Sequence, residues 1–144
     1  MQIRYFRNRD LAEVNQVAYV SLQERYDPML FLQFAPYWPE GFIVMEDRGR
    51  VIGFIFGVRS GPQQARILML VIDSSFRGGG LGTMLTNQFF CECAKKGLRQ
   101  VALEVRASNS KALRFYQRLG FFNVRRISDY YSNGEDGISM LRYL

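Results

Sequence analysis

A run of glycines between an apolar segment and a helical pattern is the part of this sequence best suited to binding a phosphorylated ligand. The run reads Arg77-Gly78-Gly79-Gly80-Leu81-Gly82. Glycine lets the backbone turn tightly and approach a ligand closely. The first N–H groups of the following helix have no acceptor within the helix, and together with the helix dipole they attract anions. The run predicts a diphosphate cradle, although a simple tight turn would have the same composition.

Two familiar phosphate loops do not fit this run. A P-loop places Gly-Lys-Ser/Thr four residues beyond its first glycine, and no lysine follows Gly78 in that way. The dinucleotide fingerprint would put its last glycine at Thr83 or Leu85, and neither is glycine. The loop also follows a middle strand, whereas the dinucleotide loop follows the first.

The absence of histidine restricts acid–base chemistry. It excludes Ser-His-Asp and Cys-His nucleophile systems and histidine metal sites, so Glu, Asp, Tyr, Lys or Cys must move protons. Glu104 is a candidate because Val101, Leu103 and Val105 share one face of a predicted strand, which directs Glu104 to the other face. A carboxylate within a strand is costly without a partner or a role, and an ion pair with Arg106 is the structural alternative.

Tyr116 is the second candidate for proton transfer. It lies on a helical stripe with Ala112, Phe115 and Leu119. Taken alone, a tyrosine on such a stripe is more often a core aromatic that needs one partner for its hydroxyl.

The elements that must position these residues alternate between period 2 and period 3.6. Strands are predicted over residues 3–6, 42–46, 51–58, 66–72, 101–105, 123–127 and 138–142. Helices are predicted over residues 11–22, within the aromatic-rich segment 25–40, and over 81–96 and 112–119. Asp10 with Glu13 resembles a capping box for the first helix. The order β-α-α-β-β-β-α-β-α-β-β indicates one α/β domain over residues 1–144.

Composition limits the class of protein. The chain has 144 residues, a formal charge of +6, and ordinary hydrophobic and charged fractions of 48% and 22%. The apolar stretch 67–72 is far shorter than the ~20 residues that cross a bilayer, and the charged first ten residues lack a signal core. We therefore expect a cytoplasmic protein without a membrane partner. Cys91 and Cys93 suit a reducing compartment, and their spacing on one helix disfavours a metal site.

The glycine run matches the cofactor loop of the GNAT superfamily, Gln/Arg-x-x-Gly-x-Gly/Ala, as Arg77-x-x-Gly80-x-Gly82. The segment 71–77 before it resembles the family's apolar-apolar-Asp-Pro-x-aromatic-Arg run, with Ser74 in place of proline. In that family the loop binds the diphosphate of coenzyme A. The resemblance implies acetyl-CoA as co-substrate and the GNAT fold, a mixed and mostly antiparallel central sheet flanked by helices.

The second half of the chain resembles protein N-terminal acetyltransferases, both bacterial ribosomal-protein-alanine enzymes and archaeal and eukaryotic catalytic subunits. The similar runs are residues 103–109, the spacing Asn109-x-x-Ala112-x-x-x-Tyr116-x-x-x-Gly120-Phe121, and Tyr130-Tyr131 with Gly134-Glu135-Asp136-Gly137. Gly137 stands where the family has alanine. Residues 22–26 are similar to a segment that borders the peptide site. Arg66 stands where some archaeal relatives have histidine.

The resemblance implies a role for each matched residue. Glu104 is the general base for the amine, directly or through a water, and Tyr116 is the general acid for the departing thiolate. Backbone N–H groups of a splayed strand receive the developing oxyanion charge. The implied cofactor-binding residues are Leu70, Val71, Ile72, Arg77, Gly78, Gly79, Gly80, Leu81, Gly82, Thr83 and Asn109. The implied peptide-binding residues are Glu24, Tyr26, Tyr130 and Tyr131.

We therefore expect an acetyl-CoA-dependent N-acetyltransferase that modifies the N-terminal α-amine of a protein or peptide. The substrate could be ribosome-associated, and the enzyme is expected to be a monomer or weak dimer without specific nucleic-acid binding. The alternatives are an acetyltransferase for a small amine or a protein lysine, a CoA-binding protein without activity, and a basic nucleic-acid-binding module.

Overall fold

The computed structural model of the chain describes residues 1–22 and 29–144. Its strands and helices, in chain order, are β1 (Gln2–Tyr5), α1 (Leu11–Leu22), α2 (Met29–Phe34), β2 (Phe42–Asp47), β3 (Arg50–Gly61), β4 (Gln64–Ile72), α3 (Leu81–Lys95), β5 (Gln100–Arg106), α4 (Ser110–Arg118), β6 (Phe122–Ile127) and β7 (Gly137–Tyr143).

The strands form a seven-stranded sheet in the order β1-β2-β3-β4-β5-β7-β6. β4 and β5 pair in parallel, as expected for strands joined through a crossover helix, and the other neighbouring pairs are antiparallel. The predicted element order and the mixed, mostly antiparallel sheet are confirmed.

A bulge in β4 changes which face its side chains occupy. The register between β3 and β4 shifts so that Leu68 has no partner in β3. Before the bulge, Ala65 and Ile67 belong to the core that packs against α3. After it, Met69 and Val71 belong to the core on the opposite face. One extra residue reverses the alternation of a strand, so the second half of β4 presents its side chains the other way round.

Two hydrophobic cores cover the two faces of the sheet. The first lies against α3 and α4 and contains fully buried Leu85 and Phe89. The second lies against α1 and α2 and contains fully buried Val14, Phe31 and Phe54. Burial of side chains of this size contributes roughly 1.5–3 kcal/mol each, so both cores hold the sheet in place.

β4 and β5 separate along their length. Their register covers Gln64 with Gln100, Ala65 with Val101 and Arg66 with Ala102. β4 then continues to Ile72 while still paired with β3 on its other edge, and β5 continues to Arg106 while paired with β7. Beyond Arg66 the facing edges of β4 and β5 have no register partner, which opens the middle of the sheet.

The predicted capping box at Asp10 and Glu13 is wrong. The Asp10 carboxylate accepts the Arg7 backbone N–H at 2.8 Å and forms an ion pair with Arg4 at 2.8 Å, which lowers its pKa even though burial opposes the shift. The Glu13 carboxylate instead accepts the Val51 backbone N–H at 3.0 Å, which ties α1 to the start of β3.

Cys91 is exposed and Cys93 is buried, and neither forms a disulfide. Burial raises the pKa of the Cys93 thiol to about 12, so it behaves as a small core residue. Within residues 1–22 and 29–144 there is no helix long and apolar enough to span a bilayer. The same part of the chain contains no cluster of three or more metal-ligating side chains.

Gly57 of β3 allows α3 to pack directly on the sheet. A β-carbon at this position would lie 2.3 Å from the Phe89 ring, whereas one at Gly61 of the same strand would lie 3.6 Å from Gln64, an ordinary contact. We expect Gly57→Ala to lower the free energy of unfolding by roughly 1–3 kcal/mol because it overpacks the core. Urea denaturation with Gly61→Ala as the control measures this, and equal stabilities would contradict the packing.

Candidate active site

A cavity of about 500 Å³ opens beside the second half of β4, between the glycine loop, the start of α3 and one side of α4. It brings together most of the residues that the sequence predicted to bind a cofactor. The predicted residues that line it are Leu70, Val71, Ile72, Arg77, Gly78, Gly80, Leu81, Gly82, Thr83, Asn109 and Tyr116. Gly79 lies in the same loop, but it does not line the cavity.

The glycine loop shapes the start of α3. Gly78 and Gly80 have positive φ angles of 85° and 77°, a backbone conformation that glycine adopts without strain. Gly80 is the residue before the helix, and its carbonyl accepts the Met84 N–H at 3.1 Å. A helix that begins in this way leaves the N–H groups of Leu81, Gly82 and Thr83 without acceptors inside the helix. These donors lie at the cavity wall.

The two positive-φ glycines are required by the backbone rather than by lack of space. A β-carbon at Gly78 or Gly80 would have no atom within 4 Å among the described residues. Gly82 differs, because a β-carbon there would lie 3.3 Å from the Phe115 ring of α4. The start of α3 therefore lies close to the middle of α4, and together they form one end of the cavity.

Arg77 is anchored to the end of β4. Its Nε donates to the Ile72 carbonyl at 3.0 Å while its side chain stays exposed. The turn between them is closed by Asp73, whose carboxylate accepts the Ser75 N–H at 2.9 Å. The strand, the turn and the guanidinium are thus held together, with a positive charge at the cavity rim.

Asn109 has a structural task as well as a place in the cavity wall. Its Oδ1 accepts the Ala112 N–H at 3.1 Å and caps the first turn of α4. The side-chain amide donors are not used by this bond and could donate to a ligand in the cavity.

Tyr116 is almost fully buried, with 9% of its surface exposed. Its ring packs edge-on against Phe115 at 5.0 Å and against Phe121 at 5.5 Å between centroids. Burial raises the pKa of its phenol, so the hydroxyl is protonated at neutral pH. Among residues 1–22 and 29–144 this hydroxyl has no hydrogen-bond partner, so its proton is available to a bound molecule.

Glu104 forms the centre of a second group of residues, outside the cavity. Its Oε2 pairs with the Arg66 guanidinium, and its Oε1 accepts the Tyr130 hydroxyl at 3.4 Å. Only 13% of its side chain is exposed. The expected alternative partner, Arg106, lies 3.3 Å from the Glu135 carboxylate and 4.1 Å above the Tyr131 ring instead.

The loop before β7 places both predicted tyrosines. The N–H groups of Tyr130 and Tyr131 donate to the Glu135 carbonyl at 3.1 and 3.0 Å, and their rings pack edge-on at 4.9 Å. The Glu135 carboxylate accepts the Ser108 N–H at 3.2 Å, which fastens the loop to the end of β5 and, with the Ser108 hydroxyl, lowers its pKa. Burial raises the pKa of Tyr131 to about 12.

The glycine at position 137, where the family has alanine, has a structural reason. A β-carbon at this position would lie 3.0 Å from the Tyr130 ring. Glycine therefore lets Tyr130 lie close to the start of β7, from where its hydroxyl reaches Glu104.

Glu104 and Tyr116 lie on opposite faces of the sheet. Tyr116 packs in the same core as Leu103 and Val105 of β5. Glu104 lies between these two residues and so points to the other face. The facing edges of β4 and β5 have no register partners beyond Arg66 and Ala102, and the two side chains lie on either side of this unpaired region.

Several cavity residues were not predicted from the sequence. Lys111, Phe115 and Arg118 line it from α4, and Ser21, Leu22 and Phe76 line it from elsewhere. Helical spacing could have identified the first three, because positions i, i+4 and i+7 share a helix face with the predicted Tyr116 beside them. The predicted peptide-binding residues Glu24 and Tyr26 lie outside the described residues.

The fold and site define a class of transferase. The site combines a glycine loop at a helix start, a splayed pair of parallel strands, and a carboxylate and a phenol on opposite faces of the sheet. This combination suits group transfer from a long phosphorylated donor to an acceptor on the opposite face. The arrangement offers no nucleophilic Ser-His or Cys-His pair, because the chain contains no histidine.

Comparisons with known proteins agree. The model of the acetyltransferase (GNAT) family matches residues 8–121. An uncharacterised N-acetyltransferase of Methanocaldococcus jannaschii is 34% identical, over 99% of this chain and 91% of the relative. N-alpha-acetyltransferase 30 of Schizosaccharomyces pombe is 31% identical, over 96% and 95%. The crystal structure of Ard1 from Thermoplasma volcanium is 36% identical with a TM-score of 0.95, over 99% and 97%.

This chain belongs to the acetyltransferase (GNAT) family. The predicted GNAT fold and the prediction of an acetyltransferase are confirmed. The roles of individual residues remain predictions.

The cations on α4 give a testable consequence. Lys111 and Arg118 line the cavity, have no ion-pair partner within the described part of the chain, and lie on one helix face with Phe115 between them. We expect Lys111→Gln/Arg118→Gln to weaken coenzyme A binding roughly fivefold to tenfold, because two exposed charges near phosphates contribute up to about 1 kcal/mol each. Calorimetric titration measures the affinity. Arg114→Gln, on the same helix but outside the cavity, is the control, and an equal loss in that variant would contradict a specific contribution.

Proposed function

We propose that this enzyme joins the acetyl group of acetyl-CoA to the N-terminal α-amine of a protein or peptide by direct attack through the opening between β4 and β5. The observation that supports this is the placement of Glu104 and Tyr116 on opposite faces of that opening. The amine attacks the thioester carbon as the bond to sulfur breaks, so the protein needs no nucleophile of its own.

Three parts of the chain would bind the co-substrate: the start of α3, Arg77 and the free edge of β4. The N–H groups of Leu81, Gly82 and Thr83 would hold the diphosphate, with Arg77 at the rim. β5 does not cover the edge of β4 at Leu70–Ile72. This edge would pair with the part of coenzyme A between its diphosphate and its sulfur, and its backbone N–H groups would stabilise the negative charge that develops on the thioester oxygen. Acetyl-CoA, when bound, supplies the activated acetyl group.

Glu104 would accept the proton of the attacking amine, directly or through a water. An α-amine has an ordinary pKa of about 7.7–8.0, against about 10.4 for lysine, so a carboxylate is a sufficient base for the first and a poor one for the second. This difference favours the α-amine over lysine as the acceptor for a site without histidine.

Tyr116 would donate its proton to the departing sulfur. Its raised phenol pKa keeps that proton in place at neutral pH, and no described residue competes for the hydroxyl. The proton lost by the amine on one face is thus matched by a proton supplied to the thiolate on the other.

The acceptor would lie on the face of Glu104. Tyr130 and Tyr131 are held in place by Glu135 and would contact the peptide backbone. The remaining expectations belong to this proposal: one catalytic domain over residues 1–144, a cytoplasmic location, a monomer or weak dimer, and a substrate that could be ribosome-associated.

The function is tested by acetyl transfer from acetyl-CoA to a peptide library that varies the first two residues. Peptides with a blocked N-terminus and a free lysine are the matched controls. We expect acetylation of the α-amines in the library and little acetylation of the lysine peptides. Acetylation of the lysine peptides at equal rates would contradict the proposed acceptor.

Glu104→Gln removes the proposed base and keeps the size of the side chain. We expect kcat/KM for a peptide near neutral pH to fall by roughly 10²- to 10⁴-fold, the usual contribution of a general base, with coenzyme A affinity unchanged. Glu40→Gln is the control for loss of a carboxylate elsewhere. Wild-type turnover in Glu104→Gln would remove Glu104 from this role.

Tyr116→Phe removes one oxygen and leaves the aromatic packing in place. Because the hydroxyl has no partner within the described residues, we expect little change in the free energy of unfolding. We expect kcat to fall by roughly tenfold or more, since the departing thiolate loses its proton source. Steady-state kinetics together with thermal unfolding separate the two effects, and full activity would rule out Tyr116 as the acid.

A further inference from the structure

Arg66 occupies the point at which the sheet opens. It is the last residue of β4 with a register partner in β5, namely Ala102. Glu104 follows Ala102 by two residues on the same face of β5, and the Arg66 guanidinium forms its ion pair with Glu104 across the start of the gap. The ion pair therefore bridges the two strands where their backbone pairing stops.

The two oxygens of the Glu104 carboxylate have different partners. Oε2 is paired with the Arg66 guanidinium, whereas Oε1 accepts the Tyr130 hydroxyl at a longer distance of 3.4 Å. An ion pair fixes its oxygen more firmly than a long hydrogen bond to a neutral phenol does. Oε1 is therefore the oxygen at which an incoming amine can displace the present partner, the Tyr130 hydroxyl.

We propose that Arg66 is a positioning residue for the reaction: it holds Oε2 of Glu104 so that Oε1 faces the acceptor amine and takes its proton. This inference rests on the proposed function of Glu104. In the step, an N–H bond of the ammonium breaks, and the nitrogen keeps the electron pair with which it attacks. The proton forms an O–H bond at Oε1, either directly or through a water that accepts it and gives up one of its own protons to Oε1. Arg66 itself exchanges no proton, because its guanidinium stays charged throughout.

Among residues 1–22 and 29–144, Arg66 of β4 is the cation that contacts the Glu104 carboxylate. Tyr130 contacts the other carboxylate oxygen, and Arg106 of β5 lies against the Tyr131 ring instead. Removal of the Arg66 guanidinium would therefore leave Oε2 without the group that fixes it.

Three variants test the proposal through kcat and KM for one peptide, measured at one fixed pH. Arg66→Gln removes the charge, Arg66→Lys keeps the charge without the planar fork, and Arg59→Gln removes an exposed arginine from the neighbouring strand β3. Coenzyme A affinity and thermal unfolding are measured for each variant, so that a folding defect is seen separately.

We expect Arg66→Gln to lower kcat roughly tenfold to a hundredfold with little change in KM, as misplacement of a reacting group does. Arg66→Lys keeps a cation beside Oε2 and should recover part of kcat. Arg59→Gln and the coenzyme A affinities should match the wild type.

Two results overturn the proposal. One is an Arg66→Gln enzyme that loses thermal stability and coenzyme A affinity together with activity, with no recovery of kcat in Arg66→Lys, as expected if the ion pair only holds the strands. The other is wild-type kinetics in Arg66→Gln. The kinetics of Glu104→Gln, measured in parallel, separate this failure from failure of the proposed function. If Glu104→Gln keeps the wild-type rate, the function of Glu104 fails. If Glu104→Gln is inactive while Arg66→Gln is unchanged, only the role of Arg66 fails.

Discussion

The separation of β4 from β5 after Arg66 and Ala102 is the constraint on which the site depends. Two parallel strands that stayed paired to their ends would close the sheet and leave the cavity with no route to the other face. The bulge at Leu68 lies just beyond the point of separation and reverses the faces to which the side chains of β4 point. Leu70 and Ile72 therefore lie on the cavity side, whereas Met69 and Val71 pack in the opposite core. An opening in the middle of a sheet is thus compatible with two intact cores.

The chemistry follows from what the opening connects. On one side are unpaired helix N–H groups, an anchored arginine and a buried phenol, which suit a phosphorylated donor and a departing thiolate. On the other side are a carboxylate, its arginine and two tyrosines. A chain without histidine can carry out this reaction because the amine is its own nucleophile and needs only one proton removed and one supplied.

Local patterns predicted the parts of the site that depend on local geometry. The glycine run and the helix after it predicted a tight loop that leaves the first helix N–H groups at the cavity wall, as the structure shows. The period of β5 predicted that Glu104 points away from Leu103 and Val105. The element order followed from the change between period 2 and period 3.6, and the motif resemblance gave the family.

The parts that depend on register between distant segments could not be predicted. Arg66 is 38 residues from Glu104, and their pairing follows from the alignment of two parallel strands joined by a helix. Sequence neighbours favoured Arg106 as the partner, but the loop before β7 supplies Glu135 to that arginine instead. The bulge at Leu68 has no local signature, because an extra residue in a continuous apolar strand leaves the composition unchanged.

Donor and acceptor are proposed to meet through this opening, from opposite faces of the sheet. A crystal structure with a conjugate of coenzyme A and a short peptide, joined through the acetyl carbon to the peptide α-nitrogen, tests this most directly. We expect the diphosphate at Leu81–Thr83, the sulfur within hydrogen-bond reach of the Tyr116 hydroxyl, and the peptide nitrogen on the face of Glu104. A peptide that lies on the cavity side of the sheet, away from Glu104, would contradict it.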